Sequence, residues 1–135
     1  MIKRKVITVI LATPISLMLI FGVFFGEWKN PLELVVMSGM ISFLVAIPVL
    51  GYGVPVTFLS DYVTKKLRGK LRSFTAFLIH IFFGSVFGLL FPMNSHFPVL
   101  DYNVDAAIIS ALIVSLFFWI TDEVLRKLNT IRIGK

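Results

Sequence analysis

His80 is the side chain in this sequence that is best placed to exchange protons inside an apolar segment. It lies in residues 74–91, a stretch with no Asp, Glu, Lys or Arg. Imidazole titrates near neutral pH, and an ionisable group inside a membrane segment is by default a candidate functional site. No charged residue lies at a comparable depth to pair with it, so the sequence also allows a neutral histidine bonded to a hydroxyl or a backbone carbonyl.

A second candidate site is a segment rich in proline and glycine at residues 46–55. Its prolines and glycines are Pro48, Gly51, Gly53 and Pro55. Proline removes a backbone donor from a helix, and transporters use interrupted helices to coordinate ions or substrates near mid-membrane. The segment therefore predicts either a plain kink or a polar transport site that includes His80.

No catalytic signature is present in the sequence. It lacks HExxH, GxSxG, a phosphate-binding glycine loop and any cysteine. His96, Asp101 and Asp105 share one loop, but a single histidine at irregular spacing is a poor metal site. We therefore expect a protein that is not an enzyme and that has no cofactor and no bound metal.

The candidate residues must be positioned by membrane-spanning helices. The 135 residues are 58% hydrophobic and 15% charged, with a mean hydropathy of +0.95. Four apolar stretches, at about residues 6–25, 34–59, 74–91 and 104–121, are each near the length that crosses a hydrocarbon core of about 30 Å. They are apolar on every face, unlike the strands of a membrane barrel. The sequence predicts an all-α membrane protein, a four-helix transmembrane bundle in a single domain over residues 1–135.

The distribution of basic residues predicts the orientation. Every lysine and arginine except Lys29 lies in the two terminal segments or the middle loop, which four crossings place on one side. By the positive-inside rule, both termini are cytoplasmic in a multi-pass protein of the cell membrane. The bases flank the spans, which favours anionic lipid headgroups over nucleic acid as partner. The residues expected to contact headgroups are Lys65, Lys66, Arg68, Arg126 and Lys127.

Two blocks of similar sequence indicate an internal repeat. Residues 60–67 read SDYVTKKL and residues 121–128 read TDEVLRKL, and each block follows a span on the inner side. Halves 1–67 and 68–135 are then two parallel copies of a helical hairpin. Convergent anchoring at the interface is the alternative. In either case Ser60 or Asp61, and Thr121 or Asp122, are expected to cap or satisfy backbone groups where a helix reaches water.

Two GxxxG pairs predict close helix packing. They are Gly22 with Gly26 and Gly84 with Gly88. Small residues let helix backbones approach closely in lipid, where the hydrophobic effect does not drive association. We expect a compact bundle and a possible homo-oligomer, and the spacing leaves open whether these faces meet within or between chains.

The whole chain resembles, in size and topology, the small uncharacterised four-span membrane proteins of Gram-positive bacteria and their prophages. That resemblance implies no known activity and no site residues. The leading hypothesis is a non-enzymatic accessory or structural membrane component, which acts through helix packing and a basic cytoplasmic face. The alternatives are a small transporter or channel that uses the broken second span, and a holin-like pore former.

Overall fold

The chain folds into long helices joined by short connections. The computed structural model describes residues 2–99 and 101–133. The helices are α1 (Ile2–Phe25), α2 (Pro31–Pro48), α3 (Val54–Val63), α4 (Gly69–Leu90) and α5 (Ala106–Ile133). A π-helical segment, Val49–Gly53, joins α2 to α3, and short 3-10 turns follow α1 and α3 at Glu27–Lys29 and Thr64–Lys66.

Four helical rods are long and apolar enough to cross a membrane. They are Ile2–Phe24, Pro31–Lys66, Gly69–Leu90 and Ala106–Asn129. The prediction of four apolar helices is thus confirmed, and by length and composition these helices suggest a multi-pass membrane protein. At the end of the bundle that carries both termini, which we call the inner end, the rods extend further than the predicted spans. The charged residues there are helical as well.

A small β-hairpin covers part of the outer end and was not predicted. Strands β1 (His96–Val99) and β2 (Tyr102–Asp105) pair antiparallel, with His96 opposite Asp105. The fourth span therefore begins at Ala106 and not at residue 104. Phe97 of the hairpin stacks on Phe24 of α1, with ring centroids 4.4 Å apart, which holds the hairpin over the bundle.

Asp105 fixes the junction between the hairpin and α5. Its carboxylate accepts hydrogen bonds from the backbone N–H of Ala107 at 2.7 Å, of Met93 at 3.1 Å and of Asn94 at 3.0 Å. These donors, with that of Ala107 the strongest, hold the pKa of Asp105 below its ordinary value. The side chain therefore caps α5 and ties it to the preceding loop.

The interior of the bundle is built from small and hydroxylated residues. The bulkiest side chains that are almost completely buried are Thr8, Thr57, Thr64, Ser16 and Ser38. Many large apolar side chains point outward instead, and Phe43 on α2 is 83% exposed. This distribution is typical of a bundle in lipid, where small residues pack the helices and apolar side chains face the acyl chains.

The second rod packs differently along its length. α1 packs against α2 and α5, and α4 packs against α5 and α3. The outer part of the rod, α2, thus lies on α1, whereas the inner part, α3, lies on α4. The π segment is where the rod changes neighbours.

The prolines of the second rod widen the helix without unwinding it. The Val54 N–H donates to the Val49 carbonyl, five residues back, which is the π-helical pattern. Pro48, Gly53 and Val54 all keep right-handed helical backbone angles. Where the sequence predicts a kink or an interrupted helix, the structure shows a π-bulge, in which the backbone adjusts to prolines that cannot donate.

Candidate functional site

Charged side chains from four helices meet inside the inner end of the bundle. This inner charge cluster consists of Arg4, Lys5, Asp61, Arg72, Asp122, Glu123 and Arg126. Arg4 bridges two acids, with Nη2 2.6 Å from Asp61 and Nε 3.0 Å from Asp122. Lys5, only 2% exposed, bridges the same pair at 2.8 and 3.1 Å. The cluster thus joins α1 to α3 and α5.

Arg72 and Glu123 extend the cluster across α4. Arg72 Nη1 donates to Glu123 Oε2 at 2.7 Å, and Nη2 lies 3.3 Å from Asp61 Oδ1. Glu123 also binds Arg126 within α5, through Nε at 3.2 Å and through Nη2. Since removing charges from water is costly, each buried charge depends on its partners.

The cluster corrects one expectation from the sequence. Ser60 or Asp61, and Thr121 or Asp122, were predicted to satisfy backbone groups at helix exits, but all four lie inside helices, and α5 continues to Ile133. The carboxylates of Asp61 and Asp122 instead bind the cations of Arg4, Lys5 and Arg72. The sequence did contain a sign of these ion pairs, because an acid recurs at the same position of each repeated block and bases lie at the start of α1 and α4.

The predicted headgroup residues occupy the inner end. Lys65, Lys66, Arg68 and Lys127 are exposed there, whereas Arg126 is half-buried and bound to Glu123. Lys3 and Lys70 add to the exposed bases, and Lys135 lies outside the described residues.

A groove of about 600 Å³ runs between α4 and α5 beside these bases. Its lining includes the basic residues Lys70, Arg126 and Lys127, the acid Glu123 that binds Arg126, and the aromatic residues Phe74, Phe77 and Trp119. Trp119 is fixed by a hydrogen bond from Nε1 to the Ser73 carbonyl at 3.1 Å. The groove therefore offers cationic groups next to an aromatic surface.

His80 lines a larger cavity of about 680 Å³. The cavity is bordered by residues of all four rods and of the hairpin, and its lining is almost entirely apolar. His80 is 4% exposed, and its Nδ1 lies 2.8 Å from the Ala76 carbonyl, the kind of backbone bond that the sequence allowed. Nε2 has no hydrogen-bond partner in the described part of the chain.

Only part of the predicted polar site comes together. Pro48 and Gly53 line the cavity with His80, whereas Gly51 and Pro55 lie on the exposed side of the rod and are absent from the lining. The structure thus brings three of the five predicted residues to one place.

The two glycine pairs have different surroundings. Gly84 and Gly88 lie against the backbone of α5, where an added Cβ would come 3.1 Å from the Ala111 carbonyl and 2.6 Å from Ile108 Cα, respectively. On α1, Gly22 contacts the indole of Trp28, and Gly26 ends the helix with φ of +67°. The α4 pair therefore serves packing within the chain.

Among the described residues, the imidazole of His80 can accept a proton or a hydrogen bond, and the charged side chains at the inner end can bind groups of opposite charge. Among them no group of three His, Asp or Glu residues could hold a metal ion. Comparison of the chain with protein-family models, with curated proteins and with solved structures gives no significant match to any of them.

Proposed function

We propose that this protein is a non-enzymatic component of the cell membrane, with both termini in the cytoplasm, that binds anionic lipid through its basic inner face. The positive-inside rule supports the orientation. In this view it is an accessory or structural component of the membrane.

The observation that carries the proposal is the separation of paired from unpaired cations. The inner carboxylates Asp61, Asp122 and Glu123 are all used inside the charge cluster. In the part of the chain that the structure describes, no carboxylate forms a salt bridge with the exposed bases Lys3, Lys65, Lys66, Arg68, Lys70 and Lys127. Each such base near an anionic leaflet contributes about 1 kcal/mol of binding free energy.

The inner charge cluster also joins the two halves of the proposed two-hairpin duplication. Arg4 in the first half binds Asp122 in the second, and Arg72 in the second half binds Asp61 in the first. Asp61 and Asp122 occupy equivalent positions in the repeated blocks. We include the parallel repeat in the proposal on the similarity of the two blocks alone, because Arg4 and Arg72 lie 68 residues apart and are not equivalent positions under the offset of 61.

Trp119 provides a natural reporter of lipid in the groove. In a Trp28→Phe background, we expect phosphatidylglycerol with brominated acyl chains to quench Trp119 at lower mole fractions than brominated phosphatidylcholine. Lys70→Gln and Lys127→Gln should each weaken this preference by about 5-fold, which corresponds to about 1 kcal/mol, and 0.5 M salt should reduce it. Quenching titrations in reconstituted vesicles measure the effect.

Lys29→Gln is the matched control, because Lys29 is an exposed lysine at the opposite end of the bundle. It should leave the lipid preference of Trp119 unchanged. Equal quenching by the two lipids in the parent protein, or an equal effect of all three lysine substitutions, would contradict a lipid site on the inner face.

A small transporter or channel is the second candidate function. It is favoured by the cavity, where Pro48 and Gly53 of the second rod meet His80. The apolar lining makes a hydrated metal ion a poor substrate, because the ion would lose its hydration without compensation. Vesicles containing the protein should pass neither protons nor small cations faster than empty vesicles, and ion-sensitive dyes measure this. Flux that His80→Ala abolishes would favour transport over the lipid-binding function.

A further inference from the structure

The cavity around His80 has the properties of a binding site. Its volume of about 680 Å³ is within the range of small-molecule sites, about 300–1,000 Å³. Such sites are mostly apolar, with few polar groups that orient the ligand. Here the imidazole supplies a buried nitrogen, Nε2, without a hydrogen-bond partner in the described part of the chain.

The hydrogen bond at Nδ1 determines whether Nε2 requires a donor or an acceptor from a ligand. The Ala76 carbonyl can only accept, so at 2.8 Å the proton must lie on Nδ1. In neutral imidazole the other nitrogen is then an acceptor. A ligand that satisfies Nε2 must therefore present a donor, and a hydroxyl group is the simplest donor that an uncharged apolar molecule carries.

The packing of the second rod leaves a route from the bilayer into the cavity. The Tyr52 hydroxyl donates to the Phe83 carbonyl at 2.8 Å and ties the π segment to α4. Further out, α2 packs against α1 and has no comparable packing with α4 in the described chain. The outer halves of α2 and α4 thus border a lateral opening.

The other ends of the cavity are covered. On the inner side the buried core of Val9, Ala12 and Phe118 separates it from the inner charge cluster. At the outer end Phe97 of the hairpin, stacked on Phe24, contributes to the lining. A ligand from the lipid phase therefore has a more direct path than one from water.

We propose that this cavity binds, from within the bilayer, an uncharged long-chain molecule with one hydroxyl group, which donates a hydrogen bond to His80 Nε2. The apolar chain lies among the side chains of the outer half. The buried hydroxyl and the buried nitrogen satisfy each other, and each would otherwise bear the cost of an unpaired polar group. This site is separate from the inner basic face.

The test uses two photoreactive probes, a long-chain alcohol with a diazirine in its chain and its methyl ether. The protein is reconstituted in phosphatidylcholine nanodiscs, and the labelled peptides are identified by mass spectrometry. We expect saturable labelling of α2 and α4 by the alcohol, with an apparent affinity about 3- to 10-fold higher than that of the ether, as one net hydrogen bond allows. His80→Phe should make the two probes equal.

Val45→Trp and Leu44→Trp form a matched pair of variants. Val45 lines the cavity, whereas its neighbour Leu44 is exposed on the outside of α2. Val45→Trp should abolish saturable labelling, and Leu44→Trp should leave it intact. If Val45→Trp does not fold, as judged by gel filtration, Ile41→Trp, which also replaces a lining residue, takes its place.

Three results would overturn the proposal. Labelling that rises linearly with probe shows partition into lipid and no site. Saturable labelling that persists in Val45→Trp places the site elsewhere. If His80→Phe does not change the ratio of the apparent affinities of the alcohol and the ether, Nε2 does not bind the ligand.

Discussion

Asp122→Ala is expected to destabilise the folded protein by about 3–5 kcal/mol, the cost of removing one partner from a buried ion pair. The side chain is 6% exposed and binds Arg4 Nε at 3.0 Å and Lys5 Nζ at 3.1 Å. Without it, Lys5 keeps Asp61 as its only carboxylate partner in the described chain, and Arg4 competes for that same oxygen. The buried lysine is then poorly compensated. Unfolding by SDS in mixed micelles measures the loss.

A double substitution distinguishes a charge effect from lost packing. Lys5→Met with Asp122→Leu removes the cation and anion together, and Arg4 keeps Asp61 at 2.6 Å. Exchanging a buried pair for apolar residues is often neutral or stabilising. We therefore expect the double variant to recover most of the stability lost in Asp122→Ala. A double variant as unstable as the sum of its single substitutions would show that the pair is not coupled.

Glu33→Ala is the control for this series. Glu33 is an exposed carboxylate in the first turn of α2 and accepts a weak hydrogen bond from Asn30 at 3.4 Å. Its loss should cost less than about 1 kcal/mol, as for exposed charges at helix N-termini. A loss comparable to that of Asp122 would mean that any carboxylate affects stability through net charge alone.

The sequence predicted the number and type of the helices because that information is local. About twenty apolar residues in a row have few alternatives to a membrane helix. The ends of the rods were less predictable. Asp61 and Asp122 look like residues that leave the membrane, and only their partners on α1 and α4 show why the helix continues past them.

The inner charge cluster depends on contacts that are distant in sequence. The bond between Arg4 and Asp122 joins the two ends of the chain. Each base alone has the properties of a topology anchor, and the positive-inside rule cannot separate bases that face lipid from those that face acids. Lys5 and Lys65 illustrate the point, since the first is buried and the second is exposed.

The candidate cavity was partly foreseen. His80 was recognised because it is a titratable residue in an apolar stretch, and Pro48 because it disturbs a helix. The apolar residues that line the cavity cannot be identified from the sequence, since Val45 and Phe87 do not differ in type from residues of a membrane helix that face lipid. The hairpin residue Phe97 was missed because the outer loop was not expected to fold back over α1.

Gly88→Leu is expected to destabilise the protein by at least about 3 kcal/mol, the upper end of the usual cost of overpacking. A Cβ at this position would lie 2.6 Å from Ile108 Cα, 3.0 Å from its nitrogen and 3.1 Å from the Ala107 carbonyl. All three atoms are backbone atoms of α5, so no side chain can rotate away. The helices must separate where they pack most extensively.

Gly39→Leu is the matched control on α2. A Cβ at Gly39 would meet no described atom within 4 Å, so leucine has room there and is a better helix former than glycine. This variant should be as stable as the parent or slightly more stable in SDS unfolding. Gel filtration, run in parallel, reports the oligomeric state. If Gly88→Leu keeps its unfolding midpoint but loses an oligomer, the glycine pair of α4 packs between chains, which would contradict the packing within the chain described above.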